Sequence, residues 1–115
     1  LRDDTLSALL DLDREIFLFD EGYWVNFVAR RVIPNPHMPY GIKYSLTFHD
    51  RANNRIVGFD NSHAIKTKGR KKFGVFYDPY DHWHLYEKVF RYDYQSAGRL
   101  LEDFWEQVNK IKPIW

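Results

Sequence analysis

The stretch IKYSLTFH, residues 42–49, decides the fold of this chain because apolar and polar residues alternate along it without a break. Successive side chains of a strand point to opposite faces, so strict alternation predicts a strand with one buried face. The apolar positions are Ile42, Tyr44, Leu46 and Phe48, and the polar positions are Lys43, Ser45, Thr47 and His49. We therefore expect a sheet with a core on one side and an accessible polar face on the other.

The segments around this strand predict two hairpins. Residues 14–20 and 23–33 are rich in β-branched and aromatic residues and are separated by a short turn that contains Gly22. Two such runs across a short turn are typical of a β-hairpin. The prolines of the 34–41 segment predict a loop, and residues 56–61 predict the strand that returns after a turn.

The rest of the chain adds a loop, one more strand and two helices. Residues 62–81 lack periodicity and predict a long exposed loop, whereas residues 82–92 resume the strand pattern. Near the N-terminus, Asp3 or Thr5 is predicted to cap a short helix. Its apolar face would hold Leu6, Leu9 and Leu10.

The C-terminal helix has the clearest helical period of the chain. It is capped by Ser96, and Pro113 lies where it would end. Its predicted apolar stripe consists of Ala97, Leu100, Leu101, Phe104, Val108 and Ile111. We predict a single α+β domain over residues 1–115. It has an antiparallel sheet of four to five strands, a short N-terminal helix and a C-terminal helix packed on one face.

Composition excludes several classes of protein. The chain has 115 residues, which suffices for one core, and it contains no cysteine. A disulfide framework, a thiolate zinc site and a cysteine nucleophile are thereby excluded. No apolar run approaches the length of a membrane-spanning helix, and the first residues are acidic where a signal peptide would be basic. We expect a soluble, cytoplasmic protein.

Charge is distributed unevenly although the net charge is only +1. Residues 1–21 have seven acidic and two basic side chains, whereas residues 22–75 have ten basic and two acidic ones. Residues 76–115 return to an acidic balance, with seven against five. The basic middle of the chain would attract a polyanion such as a nucleic acid.

His82 and His84 form an H-x-H pair on one predicted strand. Alternation places both imidazoles, and Tyr86 with them, on one face, about 7 Å apart at Cα. Two satisfied or solvated histidines are one interpretation of this pair. A metal site is another, and it would need a third ligand such as Asp81, His63 or Asp60.

Acid–base chemistry on RNA is the remaining interpretation of the pair. Attack by a 2′-hydroxyl needs a base, an acid for the departing 5′-oxygen and a cation at the phosphorane. Histidine can fill both proton roles, and Lys43 could supply the charge. Asp60 and Asn61 end a strand and are either an Asx turn or part of the same site.

The segment 66–84 combines basic residues with aromatic ones. Five cations fall within seven positions, and Phe73, Phe76, Tyr77 and Tyr80 follow. The cations are Lys66, Lys68, Arg70, Lys71 and Lys72. Basic residues that track phosphates and aromatic residues that stack on bases are typical of single-stranded nucleic-acid binding. A solvated loop without a partner is the alternative.

Taken together, several segments resemble the TumE-type toxins of prokaryotic toxin–antitoxin modules. They are GIKYSLTFHD (41–50), RIVGFDNSH (55–63), YDHWH (80–84) and LLEDFWEQV (100–108). The positions that match the family pattern are Lys43, Tyr44, Asp60, Asn61, His82 and His84. The match follows the order of the chain over roughly residues 41–110.

The resemblance implies a toxin that forms an oligomer with a cognate antitoxin, the latter with a DNA-binding domain. We predict an endoribonuclease without a cofactor, in which His82 and His84 act as the acid–base pair. Two alternatives remain, a non-catalytic toxin that binds nucleic acid or protein, and a metal-dependent nuclease that uses the same histidines. An acidic or extended antitoxin segment is expected to cover the basic middle of the chain.

Overall fold

A six-stranded antiparallel sheet forms the centre of the fold in the computed structural model, which describes residues 3–62, 64–66, 75–77 and 80–113. In the order in which they lie in the sheet, its strands are β1 (Ile16–Leu18), β2 (Trp24–Arg31), β3 (Ile42–His49), β4 (Arg55–Asp60), β7 (Asp81–Leu85) and β8 (Lys88–Tyr92). The helices are α1 (Leu6–Asp11) and α2 (Ala97–Ile111). The predicted α+β architecture is confirmed, with more strands than expected.

The alternating pattern of residues 42–49 has the predicted consequence. Strand β3 begins at Ile42 and ends at His49, and its four apolar residues are at most 3% exposed. It lies in the middle of the sheet, between β2 and β4. The predicted hairpin of β1 and β2 is confirmed, with a 3-10 turn at Asp20–Gly22 between the strands.

Helix α2 packs on one face of the sheet and completes the core. The Phe104 ring lies 5.7 Å from the Phe27 ring and 6.1 Å from the Phe59 ring. The predicted stripe is confirmed, since Ala97, Leu100, Phe104 and Val108 are fully buried, and Leu101 and Ile111 pack against the same core. Burial of this face stabilises the helix far more than its intrinsic propensity does. The opposite face of the sheet, defined by Ser45, Thr47, Asp60, His82 and His84, is called the polar face below.

The prediction of one continuous strand over residues 82–92 is wrong, because the chain reverses its direction between Leu85 and Lys88. Strands β7 and β8 form a hairpin in which Leu85 pairs with Lys88. The turn uses Tyr86 at a φ of 52°, a left-handed conformation that is uncommon outside glycine, asparagine and aspartate. Tyr86 therefore lies in a turn and does not share a strand face with His82 and His84.

The prediction of one long loop over residues 62–81 is also wrong in part. A second sheet forms there, from β5 (Ala64–Lys66) and β6 (Val75–Tyr77), which pair antiparallel with Ile65 opposite Phe76. Each strand has only three residues, too few for a recognisable alternation.

Thr5 occupies the N-cap position of α1, as one of the two predicted candidates, but the side chains of Asp3 and Thr5 cap α2. Asp3 accepts a hydrogen bond from the amide of Ala97, at 2.8 Å, and the Thr5 hydroxyl accepts one from Gly98, at 2.7 Å. Thr5 makes no side-chain capping bond to α1. The predicted Ser96 cap is confirmed, since its hydroxyl accepts from the Arg99 amide. The first residues of the chain thus satisfy the free N–H groups of the last helix.

Candidate functional site

The strand register brings residues from β3, β4 and β7 together on the polar face. Ser45 is the cross-strand partner of Asp60, and Asp60 is the partner of His82. Two residues before Asp60 on the same strand, Gly58 pairs with Thr47 on one side and with His84 on the other. Neighbouring strands are about 4.8 Å apart, so the side chains of Asp60, His82 and His84 fall within one small area.

Asp60 and His84 form the best-defined polar contact of this face. The Nε2 atom of His84 lies 3.1 Å from Oδ2 of Asp60, and the two side chains are 17% and 18% exposed. The other carboxylate oxygen accepts a hydrogen bond from the Ser62 amide, at 3.0 Å. The carboxylate is held from both sides, and an ionised carboxylate favours a proton on the Nε2 that it faces. Nδ1 of a neutral His84 ring is then the acceptor.

His82 lies beside this pair but is much less accessible. Its ring centroid is 6.5 Å from that of His84, with the ring planes at 50°. The residue as a whole is only 5% exposed. The two imidazoles are therefore close together, as predicted. The ring of His84 is partly accessible, whereas that of His82 is buried.

Lys43 shares the polar face with these residues but lies at its margin. It is exposed and pairs across the strands with the exposed Arg30. Two like charges directly opposite each other are destabilising in a sheet. A surface that keeps them together has a positive potential that an anionic ligand would relieve.

Arg55 is a second cation near the Asp60–His84 pair, and no pattern in the sequence predicts it there. A Cβ atom built on Gly58 would lie 3.2 Å from Cδ of Arg55, so this side chain lies across the space that Gly58 leaves open. Gly58 is the direct partner of His84. The guanidinium also lowers the pKa of His49, although burial of that imidazole has the larger effect. The link between Arg55 and the site depends on the absence of a side chain at residue 58.

Tyr44 and Asn61 lie apart from the histidines. The Tyr44 side chain faces the core, and its hydroxyl donates to Oδ2 of Asp81, at 2.7 Å. Burial, with the Asp81 carboxylate next in importance, raises the pKa of the Tyr44 phenol well above its usual value, so the hydroxyl stays protonated. The Asn61 side chain accepts from the Tyr44 amide, at 3.0 Å, and donates to the Ile42 carbonyl, at 2.6 Å.

The predicted RNA-binding side chains lie outside the part of the chain that the structure describes. Lys68, Arg70, Lys71 and Lys72 lie outside the described residues, and Lys66 is described only as the last backbone position of β5. His63, one of the three possible third metal ligands, also lies outside them. Within the described part of the chain, no group of three histidine or acidic residues is arranged to hold a metal ion.

Fold and site together define a small α+β protein whose chemistry-bearing residues gather on one face of an antiparallel sheet. A family model described as Toxin TumE matches residues 7–112, so the chain belongs to the TumE toxin family. Comparisons with curated proteins and with solved structures returned no match. Membership of a toxin family implies a cognate antitoxin. Among the described residues, no helix is long and apolar enough to cross a membrane.

Proposed function

We propose that this toxin is an endoribonuclease that cleaves RNA by attack of the neighbouring 2′-hydroxyl, without a metal ion. The observation that carries the proposal is the hydrogen bond between Asp60 and His84 beside the ring of His82. An imidazole held by a carboxylate has a fixed tautomer and a stabilised imidazolium form, which is the requirement for a general base. The cations on the same face favour an anionic substrate.

His84 is assigned the role of the base. The Asp60 carboxylate faces Nε2, so Nδ1 is the nitrogen left to take the proton of the 2′-hydroxyl. Proton transfer forms the imidazolium, and the adjacent negative charge of Asp60 stabilises it. The partial exposure of the ring supports this assignment, because the base must contact the substrate.

His82 is assigned the role of the acid that protonates the departing 5′-oxygen. Its ring lies 6.5 Å from the base, a separation that a bound phosphate can span. Its low exposure means that the leaving oxygen has to reach the ring within the site. Lys43 and Arg55 would stabilise the charge that develops on the phosphorane.

Asn61 and Tyr44 are assigned positioning roles in this mechanism. Asn61 joins the end of β4 to the start of β3 through two hydrogen bonds, directly beside Asp60. Tyr44 joins β3 to the first residue of β7, next to His82. Both therefore act on the geometry of the polar face from its far side and need not touch the RNA.

The basic segment is proposed to bind the RNA chain. Its side chains are Lys66, Lys68, Arg70, Lys71 and Lys72, which precede β7 and hence the histidines in the sequence. Cations of this density would hold the phosphates on either side of the cleaved bond.

Controlled expression tests the assignment. Wild type should arrest growth and fragment total RNA, and His84→Ala should abolish both effects. His37→Ala is the matched control, since it removes an exposed imidazole from the loop that precedes β3. Growth arrest by the His82→Ala, His84→Ala double variant, with intact RNA, would overturn the nuclease assignment.

The burial of His82 favours a second candidate, a toxin that acts by binding alone. A histidine that is 5% exposed fits a structural group as well as a catalytic one. In that case His82→Ala should lower stability and toxicity in parallel, and a stabilising second-site substitution should restore toxicity. A nuclease would stay inactive after its stability was restored.

A further inference from the structure

A cavity of about 140 Å³ opens on the core side of the sheet, at the ends of β3, β7 and β8. Five of its twelve lining residues are tyrosines, and they come from four separate segments of the chain. They are Tyr40, Tyr44, Tyr80, Tyr92 and Tyr94. We call this feature the tyrosine cleft. Two of its lining residues, Tyr44 and Asn61, have positioning roles in the mechanism proposed above, but the open space of the cleft is not used there.

The rings of the cleft are packed against one another. The Tyr94 centroid lies 5.0 Å from that of Tyr40 and 5.6 Å from that of Tyr44. Tyr94 is only 8% exposed, and its hydroxyl makes no hydrogen bond within the described residues. A hydroxyl that has no hydrogen-bond partner among the described residues and belongs to a residue on the wall of a cavity is a polar group available to a ligand.

The charge of the cleft is negative. Asp81 and Asp93 line it, and a second cavity, which shares Tyr40 and Tyr94 with it, is lined by Asp3 and Asp4. Among the described residues, neither cavity is lined by a lysine or an arginine. Burial, assisted by the Asp3 and Asp81 charges, raises the pKa of Tyr94 to about 12, so this phenol stays neutral. Carboxylates beside this cavity disfavour a phosphate and favour a cation.

Aromatic rings and carboxylates together recognise a flat organic cation. A guanidinium stacks on tyrosine faces, and its edge donates paired hydrogen bonds to a carboxylate. The chain gives an example nearby, where Cζ of Arg91 lies 4.1 Å above the Tyr80 ring. The cleft is smaller than the roughly 300 Å³ at which small-molecule sites begin, and so suits the head of one side chain.

We propose that the tyrosine cleft binds the guanidinium of an arginine side chain presented by a protein partner. The cognate antitoxin that the family implies is the expected source. This contact lies on the core side of the sheet, whereas the proposed RNA site lies on the polar face. This contact would be separate from the surface that the RNA occupies, and it would add to the acidic or extended antitoxin segment that is expected to cover the basic middle of the chain.

Titration of the full chain with N-acetylarginine amide tests the chemistry of the cleft. The tyrosine side-chain resonances report binding, and N-acetylcitrulline amide has the same shape without the charge. We expect the arginine compound to shift the resonances of Tyr40 and Tyr94 and the citrulline compound to bind at least about tenfold more weakly. Equal binding of both compounds would overturn the proposal, as would tighter binding of guanosine monophosphate or spermidine at these resonances.

Variants link the cleft to the partner. Asp93→Asn removes an exposed carboxylate of the cleft, and Glu102→Gln makes the same charge change on the outer surface of α2. Asp93→Asn should weaken binding of the arginine compound and of the antitoxin by about tenfold each, and Glu102→Gln should leave both unchanged. Tyr40→Ala, at a residue that is 63% exposed, should act in the same direction without affecting the fold. An unchanged antitoxin affinity in Asp93→Asn and Tyr40→Ala would contradict the assignment of the partner.

Discussion

The Asp60 carboxylate lies 3.1 Å from Nε2 of His84, although the two residues are not direct cross-strand partners. Asp60 pairs with His82, and His84 pairs with Gly58. The contact is therefore a diagonal one across the sheet. Diagonal neighbours are about 7–8 Å apart at Cα, so both side chains must lean toward each other to make it. The space that Gly58 leaves open beside His84 is taken by the side chain of Arg55.

The first prediction concerns the carboxylate. Asp60→Asn keeps the size of the side chain but removes the charge that stabilises the His84 imidazolium. We expect the single-turnover cleavage rate to fall by about 10²–10⁴-fold, because the base loses the carboxylate that fixes its tautomer. An unchanged rate in a folded variant would show that Asp60 does not orient the base.

The second prediction separates the cations. Lys43→Ala and Arg55→Ala should each lower the cleavage rate by about 10²-fold, since each removes charge near the developing phosphorane. Arg31→Ala is the control, because Arg31 is equally exposed and pairs with Ile42, one position from the Arg30–Lys43 pair, so that strand alternation places its side chain on the opposite face of the sheet. If Arg31→Ala lowers the cleavage rate as much as Lys43→Ala does, Lys43 acts through the overall charge of the protein and does not contact the reacting phosphate.

The third prediction concerns the basic segment. Replacement of Lys66, Lys68, Arg70, Lys71 and Lys72 with glutamine should weaken RNA binding and flatten its dependence on salt. Each lost phosphate contact should lower the slope of log K against log salt by about 0.7 for a single strand. Lys88→Gln and Lys110→Gln remove exposed charges elsewhere and should leave the slope unchanged. An unchanged slope in the five-residue variant would mean that the segment does not hold RNA.

The fourth prediction concerns Asn61, which we regard as a positioning residue. Asn61→Ala leaves the Tyr44 amide and the Ile42 carbonyl without their side-chain partner in a buried position. The free energy of unfolding should fall by about 1–3 kcal/mol for each group left unsatisfied. Urea unfolding measures this loss, and Asn54→Ala, at an exposed turn, is the control. Full stability in Asn61→Ala combined with loss of cleavage would place Asn61 in contact with RNA instead.

The fifth prediction is a pH dependence of stability that arises at His49. This imidazole stacks on Trp24, with the ring centroids 4.0 Å apart, and burial followed by the Arg55 charge lowers its pKa from 6.5. The unfolded chain therefore binds a proton more readily than the folded one. Stability should be complete above pH 6.5 and should fall as the pH drops through the window below that value.

Variants at two histidines test this origin. His49→Gln should flatten the fall in the urea midpoint between about pH 6.5 and pH 5, the range in which histidine ordinarily titrates. His37→Gln, in the loop before β3, should leave the fall unchanged. If the urea midpoint of His49→Gln falls with decreasing pH as steeply as that of the wild type, groups other than His49 cause the loss of stability.

The parts of the fold that the sequence predicted are those in which one face is buried. Strand β3 and helix α2 have long periodic patterns, and both ends of β3 were predicted to the residue. The β7–β8 turn was missed because Tyr86 adopts a left-handed conformation without glycine or asparagine to mark it. Strands β5 and β6 were missed because three residues show no period.

The site was predictable to the extent that it depends on alternation. His82 and His84 share a face because they are two residues apart, whereas the placement of Asp60 beside them depends on the β4–β7 register. Arg55 was missed because its approach requires the bare backbone of Gly58. The tyrosine cleft was missed because its rings come from distant segments, which only the folded chain brings together.

The most direct test of the central claim is cleavage of an RNA that has a single 2′-deoxy nucleotide at the cut site. Attack by the 2′-hydroxyl requires that hydroxyl, so the account predicts no cleavage at the substituted position. It also predicts a 2′,3′-cyclic phosphate on the 5′ fragment of the unmodified RNA, in the presence of EDTA. Cleavage of the deoxy-substituted RNA at the same position would contradict the mechanism.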